Sequence, residues 1–133
     1  MTNHPGIFFL ADTDEDALSA DVTGFGDLLM TSQIPLRPDG SLELGDIEAQ
    51  SECTLASLKA SLEKCGSGLE SVLHLTIYFT DMADRPAFNE VYRRFFKKPY
   101  PVRCAIGVTA LATKGMLVEV TAMAARRQEA DTR

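Results

Sequence analysis

Residues 72 to 80, VLHLTIYFT, constrain the fold more than any other stretch. Strict alternation sets Leu73, Leu75, Ile77 and Phe79 on one side of a β-strand and His74, Thr76 and Tyr78 on the other. A strand with one wholly apolar side must be covered there, and the flanking sequence supplies two helices. Asp46 is placed to cap a helix through Cys65, whose Ile47, Thr54, Leu55, Leu58 and Leu62 form an apolar stripe and which Gly66 stops. Asp84 and Pro86 open a second, with Phe88, Val91, Tyr92 and Phe95 at helical spacing and the cations of Lys97-Lys98-Pro99 at its end.

Further strands are expected at Ile7 to Ala11, Leu18 to Thr23 and Leu28 to Ile34, the last two joined through Gly24-Phe25-Gly26-Asp27. Pro35, Pro38, Asp39 and Gly40 break the chain into a loop. Two strands close the fold, Val102 to Thr109 and Met116 to Ala124, as a hairpin about Ala112-Thr113-Lys114-Gly115. The order β-β-β-α-β-α-β-β predicts an α+β fold with a mixed β-sheet and two helices on one face. At 133 residues the chain fits one domain, assigned to residues 1–125, with a polar tail at 126–133. Nothing remains to cover the other sheet face, so further copies of the chain are expected to do so, in a closed homo-oligomer.

Composition excludes several classes of function. With 45% hydrophobic and 24% charged residues and no long apolar run, a membrane protein is not expected. The opening MTNHPGIFFLADTDED lacks a basic n-region and does not read as a signal peptide, so the cytoplasm is the expected compartment. A net charge of −6 opposes nonspecific binding to nucleic acid. Cys53, Cys65 and Cys104 are odd in number, argue for reduced thiols and lack metal-ligand spacing. The acidic run Asp12-Thr13-Asp14-Glu15-Asp16 resembles a calcium loop only superficially, because Ala17 and Thr23 stand where the turn Gly and the bidentate Glu belong. His4 and His74 have no orienting pattern that would support a serine- or cysteine-histidine mechanism; His74 reads as an interface residue.

One residue resists the bland reading. In YPVRCAIGV, residues 100–108, alternation groups Cys104, Ile106 and Val108 on the apolar side, with Cys104 as a small buried hydrophobe. Arg103 then shares its side with Ala105, Gly107 and Thr109, all small, a pattern that leaves a pocket beside the guanidinium. A final hairpin about Thr113 would set Arg103 opposite Met123 and Gly107 opposite Glu119, so that Arg103 and Glu119 share a face about four residues apart. Arg suits a bidentate grip on a carboxylate and a half-buried Glu suits a proton shuttle, which together make a small-acid site. The same two residues also suit an internal ion pair tying strands together, and the residues alone favour neither reading.

Several runs taken together resemble the Rid (YjgF-type) family: Gln33-Ile34-Pro35, the helix from Asp46 with Leu58 and Lys59, Leu75 to Asp81, Phe88-Asn89-Glu90-Val91-Tyr92, Phe95-Phe96, Pro101-Val102-Arg103 and Val118-Glu119-Val120. They cover roughly residues 26 to 125 in order. The resemblance implies a chorismate-mutase-like fold, a homotrimer around a central β-barrel, and clefts between subunits. It further implies hydrolysis of enamines and imines of small carboxylic acids, such as 2-aminoacrylate, to 2-keto acids and ammonia, without metal or cofactor. Arg103 would hold the substrate carboxylate and Glu119 would position or activate water. Thr31 and Ser32 fall in the run matching the family's Ser-Gly-Gln, and Asn89 falls near the cleft, although a helix-surface structural role suits it equally.

The chain also departs from the family. Its Gly-Pro-Tyr-Ser-Gln-Ala opening is replaced by Asp21-Val22-Thr23-Gly24-Phe25-Gly26, a second acidic position in the last strand is Thr121, and the cysteine two places after the arginine is Ala105. The altered rim favours, as alternatives, deamination of a larger aminated acid such as 2-aminomuconate, or a small-ligand-binding or chaperone-like trimer without turnover. The ribonuclease label once attached to the family fits poorly with an acidic chain.

Overall fold

Asp46 starts the longer helix as its place before the apolar stripe requires: its carboxylate accepts the Ala49 N–H at 2.9 Å. In the computed structural model, which describes residues 6–11 and 14–126, that helix, α1, runs Ile47–Lys64. The second, α2, runs Arg85–Phe95. The strands are β1 (Ile7–Leu10), β2 (Val22–Phe25), β3 (Leu28–Gln33), β4 (Val72–Phe79), β5 (Val102–Gly107) and β6 (Val118–Ala125), in the expected order with the helices. His4, Asp12, Thr13 and residues 127–133 of the expected tail lie outside the described residues.

All six strands form one mixed sheet in the order β1-β2-β3-β6-β4-β5. Leu75, Ile77 and Phe79 of β4, Val118, Val120 and Ala122 of β6, and Leu29 of β3 form one core with Leu55, Leu58 and Leu62 of α1 and Phe88 and Val91 of α2. Phe79 and Phe88 meet edge to face with centroids 5.4 Å apart, locking α2 onto the sheet. Among the described residues no helix is long and apolar enough to cross a membrane.

Three expectations are corrected. Leu73 is 52% exposed while Val72 is buried, because a bulge between Val72 and His74 shifts the register by one and reverses the faces at that end of β4. Leu18 to Ala20 stay outside the sheet and β2 begins at Val22; Gly24 and Phe25 belong to the strand, and the turn is made by Gly26, at φ +61°, and Asp27.

The third correction matters most: β5 and β6 do not form a hairpin. β5 lies parallel to β4 at the sheet edge, reached through α2 as a strand-helix-strand unit, and β6 inserts between β3 and β4, antiparallel to both. Leu75 pairs with Arg103, Ile77 with Ala105 and Phe79 with Gly107, so these β5 residues look toward the helices. Cys104 and Ile106 look the other way, and Cys104 is exposed, its thiol 3.7 Å from the Thr76 hydroxyl, instead of buried.

Candidate functional site

The parallel register sets Arg103 half-buried under α2, where Asn89 meets it: Arg103 Nη2 donates to Asn89 Oδ1 at 2.6 Å. Its guanidinium stacks on aromatic faces, with Cζ 4.6 Å from the Tyr92 centroid and 5.9 Å from that of Phe88. Among the described residues Arg103 forms no ion pair. Arg85, Asn89, Tyr92, Arg93, Tyr100 and Pro101 enclose with it a cleft of about 330 Å³. An arginine fixed by one neutral amide and two rings keeps N–H donors and a full positive charge available to an anion.

Tyr92, read from sequence as core, lines the same cleft and is 5% exposed. Its hydroxyl is buried and makes no hydrogen bond of good geometry, with the Arg103 guanidinium near it over the ring. Burial pushes the phenol above its ordinary pKa, and Arg103 beside it pulls part of the way back. The hydroxyl is therefore neutral at physiological pH. Removing a buried unsatisfied hydroxyl relieves a desolvation penalty of about 1–3 kcal/mol. Tyr92→Phe is accordingly expected to raise the melting temperature by a few degrees, read by calorimetry; a lowered value would mean that the hydroxyl is satisfied in the folded protein.

Glu119 stands on the opposite sheet face. It pairs with Tyr78 in the ladder and accepts from the Ser32 hydroxyl at 2.9 Å. One chain therefore does not bring Arg103 and Glu119 together, and the internal ion pair between them is absent. Asn89 is brought to Arg103; Ala105 packs on the core, and Gly107 lies beside Met82. Thr31 points into the helix side, its hydroxyl donating to the Asp21 carbonyl at 2.6 Å and accepting from Gln33 Nε2 at 2.8 Å, while Ser57 donates to Gln33 Oε1 at 2.7 Å.

The face carrying Glu119 is mixed: Phe9, Phe25, Met30, Val102 and Ile106 are exposed on it, while its central strands β4 and β6 present His74, Thr76, Tyr78 and Thr121. Sequence reading missed Arg85, Arg93, Tyr92 and Tyr100 as cleft residues. For the two arginines the signal is present, since each stands four residues from Asn89 on α2. Among the described residues no group of three His, Cys, Asp or Glu side chains is placed to hold a metal ion.

Comparison with known proteins gives concordant results. The profile of the Endoribonuclease L-PSP family matches residues 15–126. A RutC family protein of Pyrococcus horikoshii is 39% identical over 98 residues, 73% of this chain and 77% of that one. Among solved structures, RidA from an Antarctic Psychrobacter superposes with a TM-score of 0.79 at 27% identity, covering 92% of this chain and 99% of that one. The Rid family protein YyfA of Yersinia pestis gives 0.82 at 28% identity, covering 90% and 98%.

Proposed function

This chain belongs to the Endoribonuclease L-PSP family, which includes the Rid and RutC proteins, and we propose that it hydrolyses enamines and imines of small carboxylic acids to 2-keto acids and ammonia. The observation that carries this reading is the half-buried Arg103, held by Asn89 and Tyr92 and paired with no carboxylate among the described residues. Its expected partner is the substrate carboxylate, gripped through charge-assisted hydrogen bonds.

The reaction asks little more of the protein. An enamine first takes a proton at carbon and gives one up from nitrogen, becoming an imine. Water then attacks the imine carbon: a C–O bond forms, the C=N π pair moves to nitrogen, and nitrogen takes a proton. The carbinolamine collapses to C=O as its hydroxyl proton passes to nitrogen, the C–N bond breaks and ammonia leaves. Holding the acid and managing one proton lowers the barrier by orientation and acid–base catalysis. In this proposal Glu119, aligned by Ser32, accepts the proton from water and returns it to nitrogen.

Because Arg103 and Glu119 lie on opposite faces, a site using both spans two copies of the chain. The proposed assembly is a trimer in which these faces meet and the edge strand β5 of one copy approaches Glu119 of the next. Leaving Phe25, Met30, Val102 and Ile106 in water supports an assembly of this kind. A stable monomer in sedimentation at micromolar concentration would overturn it.

The test of activity generates 2-iminopropionate with an amino-acid oxidase, traps it with semicarbazide, and asks whether the protein diverts it to pyruvate. Equal trapping with and without protein would leave a binding trimer without turnover. Mixing subunits tests the shared site: Arg103→Ala and Glu119→Gln, each inactive alone, are expected to regain part of the activity when coassembled. No recovery in verified mixed oligomers would place the two roles within one chain or remove one of them.

A further inference from the structure

Charge in this chain is sorted to the two edges of the sheet, which β1 and β5 form. Residues 6–27, which hold β1, β2 and the segment between them, contain six Asp and Glu and no Lys or Arg. Residues 85–103, which hold α2 and enter β5, contain six of the chain's 13 Lys and Arg and a single acid, Glu90. Both groups stand on the helix side of the sheet: Asp14 and Asp21 line a hollow with α1, and α2 covers β4 and β5 through Phe88 and Asn89. In a chain of net charge −6, one flank is thus strongly acidic and the other strongly basic.

Little within the chain neutralises either flank. Glu15, Asp16, Arg85, Lys97 and Lys98 form no ion pair among the described residues. Arg93 pairs only with Glu90, at 2.8 Å, with both side chains mostly exposed, a contact that water screens. The neighbouring Arg94 is different: it bridges to Glu48 and Glu52 of α1 at 3.3 and 2.7 Å and braces the helices. Asp14 is engaged in its own segment, accepting the Asp16 N–H at 2.9 Å, and Asp21 lies with Lys64 and Arg126 around Cys65. Apolar side chains accompany both flanks: Leu18 is wholly exposed in the acidic segment, and Tyr100 and Val102 are exposed on the basic side.

We propose that the acidic segment of one copy docks against the basic flank of the next, with Glu15 and Asp16 facing Arg85 and Arg93 and Leu18 adding apolar contact. The inference rests on the proposed assembly and adds to it which edge meets which. A contact between two different surfaces of one chain is head-to-tail and closes into a ring, as a trimer requires. Like flanks repel and unlike flanks attract, so charge selects this order against every other approach of two copies. Arg85 and Arg93 line the Arg103 cleft, and the partner's acids therefore complete its mouth and leave Arg103 as its unmatched cation.

Subunit exchange in the full chain, followed by native mass spectrometry of unlabelled protein mixed with protein labelled with heavy nitrogen, tests this. Arg85→Glu/Arg93→Glu and Glu15→Arg/Asp16→Arg are each expected to exchange about tenfold faster than wild type or more, a folded monomer counting as complete loss of the contact. Combining all four substitutions pairs the flanks again with their signs exchanged, and should return exchange toward the wild-type rate. Raising the ionic strength from about 0.05 to about 0.5 M should quicken exchange in wild type, where it screens attraction, and slow it in the two reversed variants, where it screens repulsion. Arg94→Gln removes a cation engaged with α1 and should leave the rate unchanged. Reversed variants that exchange at the wild-type rate, a combined variant that melts as a folded protein yet exchanges as fast as its parents, or an equal acceleration in Arg94→Gln would overturn the inference. A wild-type monomer would remove the assembly and this inference together, whereas a wild-type trimer indifferent to these charges removes this inference alone.

Discussion

Arg103→Ala is expected to weaken 2-ketobutyrate binding about tenfold or more, the loss of roughly 1.5–3 kcal/mol that accompanies removal of a charge-assisted contact, while the fold survives. The structure makes the second half of that expectation specific. The substitution removes one hydrogen bond to Asn89 and the stacking on Tyr92. It strands no carboxylate, because Glu119 lies on the far sheet face with Ser32. Stability should therefore fall by about 1 kcal/mol, far less than the several kcal/mol that breaking a buried ion pair brings. Arg103→Lys keeps the charge and loses the planar fork, so it cannot serve Asn89 and a carboxylate in the same geometry; affinity should drop with the melting temperature nearly unchanged. A large loss of thermal stability with ligand affinity intact would sink the anchor role.

Much of this architecture is legible in the sequence because its determinants are local. Asp46 sets the start of α1 through its own side chain, and the stripe Leu55, Leu58 and Leu62 needs only helical geometry to define the buried face. The alternation in β4 likewise fixes which side of Leu75, Ile77 and Phe79 is covered, and fails only at Leu73, where one extra residue reverses the parity. Strand pairing is a different matter, because the partner of a strand is decided by the rest of the fold. The turn before Gly115 reads as a hairpin, yet residues 108–117 carry the chain across the end of β4, with Val108 N–H bonded to the Phe79 carbonyl and Thr80 N–H to that of Leu117. β4–α2–β5 is a strand-helix-strand unit, and its short connections favour parallel pairing over a hairpin with β6. That one choice moved Arg103 to the helix side and left Glu119 beside Tyr78. Both residues were legible as chemistry; their separation was not, since it depends on which neighbour β5 takes.

Gln50→Leu is expected to destabilise the protein by about 3 kcal/mol, lowering the melting temperature by about 10 °C. Sequence patterning passes over Gln50 because a polar residue on a helix counts as surface, yet it is fully buried. Its amide Nε2 donates to the Gly45 carbonyl at 3.0 Å and the Gly115 carbonyl at 2.9 Å, and its Oε1 accepts the Leu117 N–H at 2.7 Å. One side chain thus ties the loop before α1 to the segment entering β6, two residues before Glu119. Leucine fills similar space but strands two carbonyls and one N–H, each worth about 1–3 kcal/mol when buried and unpaired, with partial recovery by water and apolar burial. Gln50→Glu separates hydrogen bonding from packing. An ionised carboxylate keeps the acceptor for Leu117 but turns oxygen toward two carbonyls, so burial and repulsion raise its pKa in the folded state. The folded protein then binds more protons than the unfolded chain near neutral pH, and the stability of this variant should rise as pH falls, opposite to an ordinary paired carboxylate. Thermal melts of both variants across pH decide the matter: a Leu variant as stable as wild type would show that volume alone is what α1 requires at this position.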